Sequence, residues 1–348
     1  MSKQTYLFVG KMRAEQPLTV SLPNIEGLPR LGGKHSERYF PSGSLRGAFR
    51  HAAHQRVLNL VKEKTGESHP FSVDDHFLLA QGLLPRDAKG FAPGVVDADK
   101  VLREKNPFLS LFGCWGMESK LSVSNAIALS GDSWGEMGQG VRSDIFTRTP
   151  SLVDELSHSE KEVLALYKTE QSESSKSIEP IKKEIASLKR AYRSASSSER
   201  EEIGAKINES EAQIKEIKEG KAGHKDSILR PLPGYEAFYS GAEFEHKMIL
   251  RGATEVELGL LLNALAQFAR EPILGGHVAQ GNGLVSFDWT VKTWEDKKHL
   301  APDAVAQVTL SIEEGLSITG KQAKKFKKYM AQFEDSIESF NFKMVPGE

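Results

Sequence analysis

The segment Tyr39-Phe40-Pro41-Ser42-Gly43-Ser44-Leu45-Arg46-Gly47-Ala48-Phe49-Arg50 admits few local structures. Pro41 drives Phe40 out of the helical region, and Gly43 lets the chain turn tightly. A helix then starts, capped by Ser42 or Ser44, and runs to about Lys64. Leu45, Phe49, Ala52, Ala53, Val57, Leu60 and Val61 fall on one of its faces, and Arg46, Arg50, His51 and His54 on the opposite one. Backbone N–H groups at a helix start, two serine hydroxyls and two arginines one turn apart suit a phosphate. Between Arg30 and Arg50 five basic residues (Arg30, Lys34, Arg38, Arg46, Arg50) meet the single acid Glu37. The whole chain sets 46 Lys and Arg against 47 Asp and Glu, so the excess is local. A solvated amphipathic helix with ordinary surface charge explains the same pattern equally well.

On either side the chain alternates strands and helices. Tyr6-Leu7-Phe8-Val9 reads as a buried strand, and Leu18-Thr19-Val20-Ser21-Leu22 as a second strand or its continuation. A Pro- and Gly-rich loop follows, with Gly32-Gly33-Lys34-His35 as a flexible basic tip. Residues 65–105 read as an inserted, partly helical subdomain. Its Asp74-Asp75-His76 and Asp97-Ala98-Asp99 runs match no calcium loop and read as caps or turns. An apolar turn over residues 106–116 leads to a core strand, Lys120 to Leu129, that buries Leu121, Val123 and Ala126. Cys114 is the only cysteine, which excludes a disulfide framework and a cysteine metal cluster. It reads as a small buried hydrophobe.

Residues 142–150 interleave Arg142 and Arg148 with hydroxyls and Phe146. That composition suits a hairpin lying along a single strand of nucleic acid, or an edge hairpin whose Phe146 plugs a core. Residues 157–223 then shift to Lys, Glu and Ser. Ile181, Ile185, Leu188 and Tyr192 form one apolar stripe, and Ile203, Ile207, Ile214 and Ile217 another, with Glu or Ser at the seam position between. Ser198 and Glu201 form a capping box. The pattern predicts an antiparallel helical hairpin with arms about 27 Å long. A strand over residues 242–250 and a helix with the capping box Thr254/Glu257 come next. The helix stops at Glu271-Pro272. Four glycines in nine residues (Gly275, Gly276, Gly281, Gly283) then precede an alternating strand. Such a loop allows close backbone approach to a ligand, and its N–H groups could form an anion nest. It opens no helix, so it is neither a P-loop nor a dinucleotide fingerprint. Residues 321–340 form an amphipathic helix with the stripe Phe326, Met330, Phe333, Ile337 and Phe340.

The 348 residues, 39% of them hydrophobic, suffice for one large domain or two modest ones. No secretory segment or membrane-length apolar run is present, so a soluble cytoplasmic protein is expected, with no membrane partner. Neither a metal nor a cofactor is expected.

The order strand, helix, apolar strand, long insertion, strand, helix, glycine loop, strand is that of an α+β, ferredoxin-like (RRM-like) βαββαβ domain. The aromatic sheet motif of RNA-recognition modules is missing. Residues 41–50 resemble the serine-glycine-leucine-basic-glycine signature of the RAMP superfamily. Leu111-Phe112-Gly113 and its following strand are similar to that family's second block, and residues 273–287 to its C-terminal glycine loop. The resemblance extends to the backbone subunit of CRISPR effector complexes (CRISPR-associated family seven), most like the type IV version. It implies a subunit that polymerises head to tail along the spacer of a guide RNA, beside other effector subunits, and presents bases for pairing with a target nucleic acid. It implies a palm in two halves (1–64 and 241–294), an insertion (65–105), a palm strand (106–130), a thumb region (131–240, helical hairpin 157–223) and a C-terminal extension (295–348). Ser42, Gly43, Ser44, Arg46 and Arg50 match the palm signature, and Lys34, His35 and Arg38 lie in the preceding loop. Arg142, Phe146, Arg148 and Arg230 occupy the place of the thumb. Gly275, Gly276, His277 and Gln280 match the glycine loop.

Type III relatives cut target RNA with an aspartate before the signature; residues 23–40 hold no aspartate, only Glu26 and Glu37. A subunit without catalysis is therefore expected. Two other readings stay open: a RAMP endoribonuclease, slicing with Glu26 or Glu37 or processing guides with His35, His51 or His54, and a protein-only scaffold whose basic arc meets acidic partners.

Overall fold

A computed structural model describes residues 3–22, 27–32, 36–84, 96–138, 140–142, 146, 150–194, 197–219, 230–232, 234–294 and 300–343. In chain order the elements are β1 (Gln4–Ala14), β2 (Tyr39–Phe40), α1 (Ser42–Thr65), α2 (Val73–Gln81), α3 (Val96–Lys105), α4 (Pro107–Phe112), β3 (Leu121–Val123), β4 (Ala126–Ala128), β5 (Trp134–Met137) and β6 (Gly140–Arg142). They continue with α5 (Ser151–Asp154), α6 (His158–Ser194), α7 (Ser197–Glu219), β7 (Arg230–Leu232), β8 (Tyr235–Phe238), β9 (Glu243–Ala253), α8 (Glu255–Phe268), β10 (Val285–Thr293), β11 (Asp303–Ser311), β12 (Gly315–Thr319) and α9 (Ala323–Asp335). Two compact units result: residues 1–137 with 235–348, and residues 138–234.

The larger unit is α+β. Its main sheet runs β12-β11-β10-β1-β9-β4-β2, with β3 also paired to β9, and its pairings are antiparallel. Strict alternation puts Tyr6, Phe8, Met12, Phe244, Met248, Leu250, Phe287, Trp289 and Val291 on one buried face. Helices α1, α8 and α9 cover that face. Phe49 of α1 meets Phe287, Trp289 and Phe268 edge-on, and Phe326 of α9 meets Tyr6. Gly259 lets α9 press on α8, since a Cβ there would collide with Tyr329 O. The start of α8 is anchored by its predicted capping box. Buried Glu257 also accepts from Ser110 Oγ at 2.5 Å and pairs with Lys120 Nζ at 2.7 Å, which ties α8 to α4 and β3.

The opposite face of β1, β9 and β10 is open and carries Lys11, Arg13, Lys247, Arg251 and Lys292 against Glu243, Glu245 and Asp288. Lys11 pairs with Glu243 at 2.8 Å and Lys247 with Glu245 at 2.5 Å. Among the described residues of these strands it carries no aromatic ring.

Several expectations are corrected. Residues 18–22 form no strand: Leu18 makes one bridge to Phe238, and the neighbouring carbonyls of Pro17 and Thr19 accept from Gly283 and Gly276 instead of a ladder partner. The strand expected over residues 120–129 breaks into β3 and β4, because Ser124 and Asn125 turn to bond Lys247 and the Ser42 N–H. Neither Ser42 nor Ser44 caps α1; Pro41 is its N-cap and makes no side-chain capping bond of its own. The β11–β12 hairpin was not anticipated, although Val305, Val308, Leu310 and Ile318 are buried in it. The C-terminal helix ends at Asp335, with a 3₁₀ turn over residues 337–339, and it packs on its own unit through Phe326 and Phe333. Ser72 caps α2, and Asp75 in its first turn completes the capping box, in line with the cap reading of that run.

The smaller unit holds α6 and α7, linked by Lys189–Glu211 at 3.0 Å, with Ile178, Ile185 and Ser210 buried. Ser210 takes the polar seam position seen in the sequence. Ser198 is in α7, but its side chain lies outside the described residues. No helix among the described residues is long and apolar enough to cross a membrane.

Candidate nucleic-acid interface

The basic flank of α1 is turned inward. Arg50 is 6% exposed. Its guanidinium donates to Leu79 O at 2.5 Å, Leu78 O at 2.8 Å and Phe112 O at 3.3 Å. These carbonyls belong to the last turns of α2 and α4, which have no intrahelical donor left for all of their acceptors and carry the negative end of the helix dipole. Arg50 thus closes two helix ends at once. Burial, with Arg46 beside it, lowers its pKa to about 10. Half-buried Arg46 also donates to Phe112 O, and burial lowers its pKa.

Arg38 is likewise taken into the fold. It is buried, donates to Leu28 O at 2.6 Å, pairs with Glu236 at 2.8 Å and lies 3.5 Å over the Trp134 ring. Burial lowers its pKa against the opposing pull of Glu236. Arg38 and Arg50, both expected at a phosphate, have their guanidinium groups engaged in these internal bonds. The signal missed was on the partners: Glu236 and Trp134 lie far away in sequence.

What stays outward at the start of α1 is Gly43, exposed with no atom near its would-be Cβ, between half-buried Ser42 and Ser44. Ser42 N–H donates to Asn125 Oδ1 at 2.8 Å and Ser44 N–H to Pro41 O at 3.1 Å.

The glycine loop packs beside this turn. Gly275 has φ +78, and a Cβ there would collide with Thr19 O and lie 3.5 Å from the Phe40 ring. Gly276 N–H donates to Thr19 O at 3.1 Å. Leu274, Gln280, Gly281 and Gly283 also donate their N–H groups within the fold, so the loop is a braced ledge rather than the anion nest expected from its composition. On it, His277 stacks on Tyr235 with ring centroids 3.9 Å apart and 8° between planes. Tyr235 Oη accepts from Asn282 Nδ2 at 2.6 Å and donates to Gln280 Oε1 at 3.4 Å. Tyr235 and Asn282 were not singled out from the sequence; an Asn between two turn glycines was the available hint.

The histidines of α1 separate. His54 is buried, and its Nε2 lies 2.9 Å from His76 Nδ1. Desolvation, then His76, lowers its pKa to about 4. His51 is exposed and bonds Gln55. His54 is therefore neutral near pH 7, and the His51 ring lies 6.4 Å from its own. Glu37 is exposed, and among the described residues no group of three His, Cys, Asp or Glu is placed to hold a metal. Cys114 is half-buried, and burial raises its thiol pKa.

In the smaller unit, β6 and β7 pair with Arg142 opposite Arg230 in the register. Phe146 is half-buried. Glu26, Lys34, His35 and Arg148 lie outside the described residues, as do the side chains of Arg142 and Arg230.

No protein-family model matches the chain, and no curated protein does. Among solved structures, a chain of a "Type IV-B CRISPR Complex" is similar to this one, with 13% identity over 86% of this chain and 93% of that chain and a TM-score of 0.38.

Proposed function

We propose that this chain is a non-catalytic backbone subunit of a CRISPR ribonucleoprotein effector complex, holding the guide-RNA spacer by its sugar-phosphate backbone and polymerising head to tail along it. In this reading β10-β1-β9 with β3 and β4 is a ferredoxin-like palm carrying α1 and α8, and the guide leaves its bases free to pair with a target. A heterologous contact between copies gives an open filament. The observation that carries the reading is the approach of Gly275, whose would-be Cβ lies 3.5 Å from the Phe40 ring, to the turn that opens α1: residues 41–50 and 273–287, more than 200 residues apart, resemble two separate blocks of the RAMP superfamily. The open sheet face is ring-free, and its Lys11 and Lys247 are already paired with Glu243 and Glu245, which supports a binding edge elsewhere. Ser42, Gly43 and Ser44 with Gly276, His277 and Gln280 form that edge, and Arg46 stands behind it.

Gly43→Glu tests this with little risk to the fold. The site is open, and an acid in the first turn of a helix is favourable. Affinity for single-stranded RNA should fall at least about tenfold through like-charge repulsion, while Gly43→Ala binds as wild type. Wild-type binding should weaken steeply with salt. Unchanged affinity of Gly43→Glu rejects the edge.

A further inference from the structure

We propose that the outer face of His277, backed by Tyr235, seats one unpaired base of the bound strand; this rests on the RNA-binding reading above. Among the described residues, His277 is the one non-glycine residue with positive φ, at φ 58 and ψ 28. A side chain in that conformation costs of order 1 kcal/mol and persists only where its surroundings impose it. Here they do: the imidazole lies flat on Tyr235, whose hydroxyl is fixed by the buried Asn282 amide and by Gln280. The loop carries no ladder or core role that requires a ring at this point, and glycine would fit the backbone better. The inner face of the imidazole is occupied and the residue is exposed, so a flat, rigid surface looks outward.

An unpaired nucleobase is the ligand that fits. Base–aromatic stacking needs a preoriented π-face and no sequence-specific hydrogen bond, as a subunit that accepts any guide requires. Residues 273–284 contain no carboxylate, so nothing on the loop itself repels the strand. The loop also abuts the turn that opens α1, which puts the platform next to the proposed backbone contacts.

His277→Gly removes the outer ring and relaxes the backbone, so the fold is kept; His277→Phe keeps a π-face and loses the imidazole. The probe is a fluorescein-labelled 30-nucleotide single-stranded RNA, titrated at several salt concentrations. The Gly variant should bind about 5- to 150-fold more weakly with an unchanged salt slope, from roughly 1–3 kcal/mol per stacked base, and the Phe variant should bind close to wild type. Equal binding by His277→Gly and wild type overturns the platform and leaves the RNA-binding reading standing. If both variants weaken alike and the salt slope shrinks by about one, His277 acts as a cation on phosphate, and the platform is overturned. A wild-type chain that fails to bind this RNA overturns the parent reading itself.

Discussion

The arginine flank of α1 and the glycine loop carry the same promise in the sequence, a surface for phosphate, and the structure uses them oppositely. The flank is closed over by α2 and α4, whose C-terminal carbonyls capture Arg50 and Arg46. The loop stays at the surface and braces an exposed ring pair. The difference lies in what arrives from elsewhere in the chain. A guanidinium next to an apolar stripe is available to any helix end that lacks donors, and the inserted segment delivers two such ends. A glycine loop has no side chain to be captured, so its function depends on the one or two residues it holds out. Local charge is thus weaker evidence for a ligand site than local backbone need.

The largest effect should come from breaking the closed side. Arg50→Ala leaves carbonyls of two helix ends without their charged donor, and about 3–4 kcal/mol of stability should be lost in urea unfolding. Arg50→Lys separates charge from geometry, because an ammonium cannot reproduce the fork that spans Leu78, Leu79 and Phe112. If Arg50 is a helix clamp, the Lys variant is also destabilised. If it serves phosphate instead, Arg50→Lys keeps both fold and RNA affinity, and the contrast between the two regions collapses.

Much of the larger unit was legible because β9 and β10 alternate and α8 carries its own capping box. Thr254/Glu257 and the even positions of β9 are local signals with local consequences. The failures share one cause, competition by a distant partner. Residues 18–22 alternate as a strand should, yet Leu18 exchanges its bonds with Phe238 alone, Thr19 O serves Gly276 and the preceding Pro17 O serves Gly283. Ser42 looks like a cap, but the helix already includes it after Pro41, and Asn125 from another element takes its N–H. Arg38 looks like a loop cation until Glu236 and Trp134 fold against it. The β11–β12 hairpin is a different failure: the neighbours Val305 and Ala306 are both buried across a register shift, which interrupts the alternation of β11. In the glycine loop the turn residues were legible, but the Tyr235–His277 stack depends on a contact across 42 positions that periodicity cannot reveal.

On the open side, Gly275→Ala is the sharper probe. Its φ of +78 and the Thr19 carbonyl both oppose a Cβ. The substitution should cost about 2–3 kcal/mol and should also displace the ledge that carries His277. RNA affinity should therefore fall together with stability, whereas Arg50→Ala, assayed where it is still folded, should bind RNA near the wild-type level. Should Gly275→Ala bind normally, the loop's place beside α1 is irrelevant to the ligand.

The smallest effect concerns His54, which sits on the closed flank. Its folded pKa of about 4 lies below the ordinary 6.5, chiefly from desolvation and then from His76. The unfolded chain therefore takes up a proton that the folded chain refuses. Stability from this residue is fully present above about pH 6.5, falls as the pH drops toward 4, and levels off below it. Between pH 7 and pH 5 the loss amounts to about 1.5–2 kcal/mol. His54→Gln removes the titrating group, so the variant's unfolding free energy should decline less over that interval by this amount, whatever its absolute stability. Buried His246, whose pKa burial also lowers to about 4, leaves a residual slope in both proteins. If the two proteins show parallel pH profiles, His54 is not held neutral. The flank around it would then be open to water, and the distinction between a closed and an exposed side of the α1 turn would be lost.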